Sequence, residues 1–108
     1  MNLDQLKAAG GFVEAEPVKV PVEWAHKTKA GADVIDKFDV WVRLRSFGLF
    51  ERVASLGGDR SRSAQMLSEC ILLGDERQAL TYEQAYQLEP DLAFVLVEAV
   101  RGANAPKG

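Results

Sequence analysis

The sequence predicts an α+β fold: an N-terminal antiparallel β-hairpin or small sheet packed on three or four short C-terminal helices. Two observations predict it. The first third holds two runs in which apolar and polar residues alternate, the period of a half-buried strand. From Phe47 onward the apolar residues recur at helical spacing, punctuated by start and stop signals.

The first element is a short helix from Leu3 to Ala9, with Asn2 as N-cap and Gly10 at the C′ position. It carries only Leu3, Leu6 and alanines on its apolar side. In the first alternating run, Val18, Val20, Val22 and Trp24 face one way, and Lys19, Pro21 and Glu23 the other. Pro21 cannot donate to a ladder, which marks this as an edge strand. Residues 26–33 read as a polar turn, with His26 in a solvated loop. In the second run Phe38, Val40, Val42 and Leu44 share a face, while Lys37, Asp39, Trp41, Arg43 and Arg45 take the other. The two runs form a hairpin within a two- or three-stranded sheet. A hairpin alone is marginal, so its apolar face must be covered. The expected covers are the helix from Phe47 and the last helix.

Phe47, Phe50, Val53 and Ala54 form one face of a helix running to about Leu56 and ended by Gly57-Gly58. Asp59 N-caps the next, whose apolar side is Ser63, Leu67, Cys70 and Ile71, with Gly74 as its stop. Asp75 to Gln78 reads as a polar loop or a turn between two short extended pieces. Thr81 and Gln84 form a capping box, and Pro90 turns Glu89 away from helical geometry. Pro90 then opens the last helix, in which Leu92, Val95, Leu96, Ala99 and Val100 keep the i, i+3, i+4 pattern. Residues 1–104 make a single domain, and 105–108 a flexible tail.

Composition narrows the function. The chain has 108 residues, 47% hydrophobic and 27% charged, which suits one soluble globule. Its net charge of −3 argues against a nucleic-acid binder. No apolar run approaches the roughly 20 residues that span a bilayer, and the first residues lack the basic and apolar regions of a secretory leader. One histidine and one cysteine fall short of the four ligands of a structural zinc site. Asp33, Asp36 and Asp39 lack the glycine and closing glutamate of a calcium loop. No phosphate-binding glycine motif is present, so no cofactor is expected. His26 reads as an exposed loop residue and Cys70 as core filling, so neither is expected to be catalytic and the chain is not expected to be an enzyme.

What remains is a surplus of apolar residues. Phe94 and Val97 lie away from the main stripe of the last helix, Trp41 projects from the charged face of its strand, and Leu49 and Leu56 flank the Phe50/Val53 stripe. These five residues either complete a small core or form an exposed patch that holds a partner's apolar helix. Likewise Arg43, Arg45, Arg52, Arg60 and Arg62 either pair with carboxylates on a solvated face or gather as a surface for an acidic partner.

The order of several phrases carries a family resemblance. Leu3 to Val13, followed by Pro17-Val18-Lys19-Val20, resembles the start of the phage tail assembly chaperones. The strand Phe38 to Arg43, then Leu80-Thr81-Tyr82-Glu83-Gln84-Ala85 and Leu88-Glu89-Pro90-Asp91-Leu92, resembles the rest of that family in order and spacing. The resemblance covers residues 1–104 and departs at Gly11, where an alanine is expected, implying a looser helix-to-strand joint. It implies a non-enzymatic protein that binds the tape measure protein of long non-contractile tails and keeps it soluble during tube assembly. It also implies a bacterial host-cytoplasmic location and absence from the mature virion. In many such phages a ribosomal frameshift adds a domain that contacts the tail tube protein, a second implied partner. The competing expectation is a structural neck or tail-completion protein that stays in the particle.

Overall fold

The computed structural model describes residues 1–13 and 15–105. Helix α1 (Leu3–Ala8) is closed at both ends by its own residues. Asn2 Oδ1 accepts from the Gln5 amide, and Gln5 Oε1 accepts from the Asn2 amide, both at 2.8 Å. At the other end Gly10 takes φ +84°, and the Gly11 amide donates to Leu6 O at 2.9 Å. This is a Schellman turn, which needs a residue without Cβ at the left-handed position. A Cβ on Gly11 would lie 2.6 Å from Leu6 Cγ. The glycine therefore makes this joint tight, correcting the looser joint expected from it. No residue of α1 is buried.

Strands β1 (Val18–Lys27) and β2 (Asp33–Val42) pair antiparallel over their full length, Val18 opposite Val42 and Lys27 opposite Asp33. Both run further than their apolar alternation suggested. His26, Lys27 and Asp33, expected in the turn, continue the ribbon instead, and the connection shrinks to residues 28–32. There Gly31, at φ +86°, donates its amide to Thr28 O at 2.9 Å. The expected faces are present: Val20, Val22 and Trp24 sit on the same side as Phe38 and Val40.

Helices α2 (Phe47–Ala54) and α3 (Arg62–Cys70) follow. Ser61, not Asp59, caps α3, its hydroxyl accepting from the Ala64 amide at 3.1 Å. Helix α3 does not continue to Gly74. It passes straight into β3 (Ile71–Leu73), which adds to β2 with Val42 opposite Ile71 and Val40 opposite Leu73. Gly74 instead begins the turn, at φ +74°, that leads to β4 (Gln78–Ala79). The sheet is thus four-stranded in the order β1-β2-β3-β4, with β1 and its Pro21 at an edge. Half of its strands come from the middle of the chain.

Helix α4 (Tyr82–Tyr86) carries the predicted capping box, with Thr81 Oγ1 accepting from the Gln84 amide at 3.1 Å. Helix α5 (Pro90–Asn104) starts at Pro90 as expected and lies across the apolar face of β1 and β2. Helix α3 packs on α4 and α5. The core forms between these layers from Val22, Val40, Val42, Leu67, Ile71, Leu96 and Val100. Helix α2 packs on α3, so the hairpin is covered by α5 without the expected help of α2. Of the tail expected at 105–108, Ala105 caps α5, and 106–108 lie outside the described residues.

Cys70 belongs to this core and is fully buried. Burial pushes its thiol up to about 11, against the opposing pull of the Arg45 and Arg43 charges. A raised thiol pKa stabilises the fold below the unfolded value, roughly 8.5. That stabilisation is lost as pH rises through the folded value. The urea midpoint should therefore fall more steeply above pH ~8.5 in the native sequence than in Cys70→Ala. Ellman's reagent should label Cys70 only on unfolding, and rapid labelling of the native protein would show that this core packing is wrong.

Candidate functional site

Five of the eight residues of α2 are apolar, too many for one contact face. They divide into two stripes, and α3 covers only one. Leu49 is 8% exposed and Val53 half-buried, whereas Phe47 is 75% and Phe50 60% exposed. The face expected inside is thus partly outside. Leu49, expected at a flank that could meet a partner, is in the core because it is the side chain that α3 covers.

Between α2 and α3 runs a groove of about 250 Å³. Its floor and walls are Leu49, Phe50, Val53, Ala54 and Met66, and Arg45 and Arg62 stand at its rim. The two helices are fastened by Arg52, whose Nη2 lies 2.8 Å from Glu69 Oε1 and whose Nε donates to Glu69 Oε2 at 3.3 Å. Such a forked pair fixes geometry as well as charge. The entry to α2 is fastened to α5. Asn104 Oδ1 accepts from the Arg45 amide at 2.7 Å, while Asn104 Nδ2 donates to Val100 O at 2.7 Å. Both walls of the groove are thus tied to the rest of the fold by side-chain bonds.

A second apolar surface lies where α5 meets the edge strand. Phe94 is 66% exposed beside a shallow groove of about 340 Å³ lined by Val20, Pro21, Val22, Val95 and Ala99. Val97 is half-buried and packs against the core, so α5 leaves Phe94 open but not Val97.

Trp41 is half-buried and already occupied. Arg77 Cζ lies 4.1 Å and Lys19 Nζ 5.7 Å from its ring centroid, and Glu16 Oε1 holds Arg77 Nη1 at 2.9 Å. Leu72, its neighbour across the ladder, is 3% exposed. Cation–π contacts of this kind close the outer face of the sheet over an otherwise isolated tryptophan. Leu56, just beyond α2, is half-buried. The structure thus scatters the five nominated residues over three places and leaves only Phe94 largely exposed.

His26 is in β1 rather than a loop. Its ring stacks on Trp24 at 3.7 Å, and Nε2 lies 2.6 Å from Asp36 Oδ2. The Trp24 indole donates to Glu89 Oε2 at 3.2 Å, and that oxygen also accepts from the Leu92 amide at 3.1 Å. Desolvation pulls Glu89 upward. The amides of Asp91 and Leu92, the indole and the nearby His26 outweigh it and hold the carboxyl below its usual range. These polar groups bond one another and tie the hairpin to the start of α5. Cys70, by contrast, is fully buried in the core. Among the described residues, no group of three or more His, Cys, Asp or Glu is placed to hold a metal ion, and no helix is long and apolar enough to cross a membrane.

Exposed aromatic side chains beside apolar grooves are the makings of a protein-binding surface. The comparison with known families agrees with that class. The model of the family described as phage tail assembly chaperone (TAC) matches residues 4–104, and the chain belongs to that family. No curated protein and no solved structure matches the chain.

Proposed function

We propose that this tail assembly chaperone binds the tape measure protein of a long non-contractile tail through apolar surface. It keeps that client soluble while the tube assembles, acts without catalysis in the host cytoplasm, and is absent from the finished particle. The tail tube protein is a second partner. The observation that carries this reading is the family membership over residues 4–104, read together with the phenylalanines that the fold leaves open. A client that must be released later calls for moderate patches rather than an obligate interface. Phe47, Phe50 and Phe94 supply such patches. Leu49 lines the α2–α3 groove beside Phe50, whereas the half-buried Trp41, Leu56 and Val97 lie off these patches.

The test is co-expression with the longest helix-rich protein encoded nearby, followed by pull-down and size exclusion. The expected result is a soluble complex, with the client insoluble when expressed alone. A client that is soluble by itself and forms no complex would overturn the reading. Mass spectrometry of purified particles would then ask whether the protein is instead a neck or tail-completion component.

A further inference from the structure

We infer that the α2–α3 groove takes an amphipathic helix whose apolar side chains are flanked by carboxylates. This deepens the proposal that the protein holds a partner chain through apolar surface, and it rests on that reading. Size comes first. At about 250 Å³ the groove is smaller than the roughly 300–1,000 Å³ of small-molecule sites, so it holds a few side chains of a longer chain. Secondary structure comes next. The groove is walled by two helices whose backbone groups bond internally, so it offers no ladder to an added strand, and recognition must pass through side chains. An incoming helix presents apolar residues three and four apart, the spacing that can seat beside Phe50, Val53, Ala54 and Met66.

Charge selects among such helices. Of the arginines around the groove, Arg52 is committed to Glu69. Among the described residues, Arg45 and Arg62 make no ion pair with a carboxylate. Arg45 Nη1 rests 3.9 Å from Met66 Sδ, a weak acceptor that leaves the guanidinium free to take a better one. Two unpaired guanidinium groups beside an apolar floor favour carboxylates and repel lysines, although the chain as a whole is acidic.

The test uses the full-length protein and two synthetic helices of about 16 residues, long enough to hold helical structure in an alanine-rich host. Both carry leucines at i, i+3, i+4 and i+7. One has glutamates flanking the leucines, and its twin has lysines. Amide chemical shifts are followed by NMR at low salt. The glutamate peptide should bind, with shifts confined to α2 and the first turns of α3, and the lysine peptide should bind at least about tenfold more weakly. The double variant Arg45→Glu, Arg62→Glu should reverse the preference, which also shows that it is folded. Phe50→Asp should weaken binding of the glutamate peptide. Equal binding of both peptides, failure of the glutamate peptide, or shifts elsewhere would overturn the inference. Client capture separates the two claims. Capture of the tape measure protein with no peptide preference sinks the groove and spares the chaperone reading. Peptide preference without capture does the reverse.

Discussion

Leu96→Ala is expected to lower the unfolding free energy by about 2–5 kcal/mol. Leu96 is 2% exposed and lies in α5, the helix that covers the hairpin. Its core companions Val22, Val40 and Val100 are β-branched, with few rotamers through which to fill a void. The cavity should therefore persist, which places the cost in the upper part of that range. Domains of this size have a total stability of roughly 5–15 kcal/mol, so the loss would be a large fraction. A urea titration would show it as a lower midpoint at unchanged slope. A cost under about 1 kcal/mol would mean that α5 is not packed on the sheet as described.

Val97→Asp and Phe94→Asp should part company, although only three positions separate them. Val97 is half-buried against the core, and a carboxylate there loses hydration with no partner to replace it. A loss of about 1–3 kcal/mol is expected. Phe94 is 66% exposed, so its aspartate should stay within about 0.5 kcal/mol of the native sequence. Thermal melts of the two variants check this. If both unfold alike, Phe94 belongs to the core and cannot be offered to a partner. If only Val97→Asp unfolds, Phe94→Asp becomes the clean variant for measuring client binding through α5.

Much of the fold was legible because its signals are local. Alternation in 18–24 and 38–42, the Thr81/Gln84 box, Pro90 and the Asn2 cap each act within a few residues, and each stands where the sequence puts it. The middle of the chain was less legible. Ile71-Leu72-Leu73 continues the apolar period of α3 with no breaker, and becomes a strand only because Val40 to Val42 offer it a ladder. That partner lies about thirty residues earlier, beyond the reach of local propensity. Strand β4 is two residues long and carries no period at all. At the turn end of the ribbon His26, Lys27 and Asp33 are polar and Asp36 breaks the alternation between Val34 and Phe38, so the period of two stops short there, although the β-branched pair Val34-Ile35 itself favours a strand. The candidate site failed to show for a related reason. Both stripes of α2 satisfy helical spacing, and only the position of α3 decides that Leu49 goes in and Phe50 stays out. A groove is a property of two elements together: Arg45 and Arg62 stood out as part of a possible surface for an acidic partner, but no local signal set them beside Phe50 and Met66.

The border position of β1 bears on how the protein survives its own task. A tail assembly chaperone must itself stay out of unwanted assembly, whose usual route is backbone pairing along an uncovered strand. Ten residues of β1 would be a long template. Pro21 interrupts its donors midway, and Lys19, Glu23 and Lys27 set alternating charges along the same margin. At the opposite margin β4 ends after two residues. Both borders of the sheet are thus poor seeds for fibre growth, and the apolar side chains left open on α2 and α5 can meet another chain without exposing a strand ladder to it.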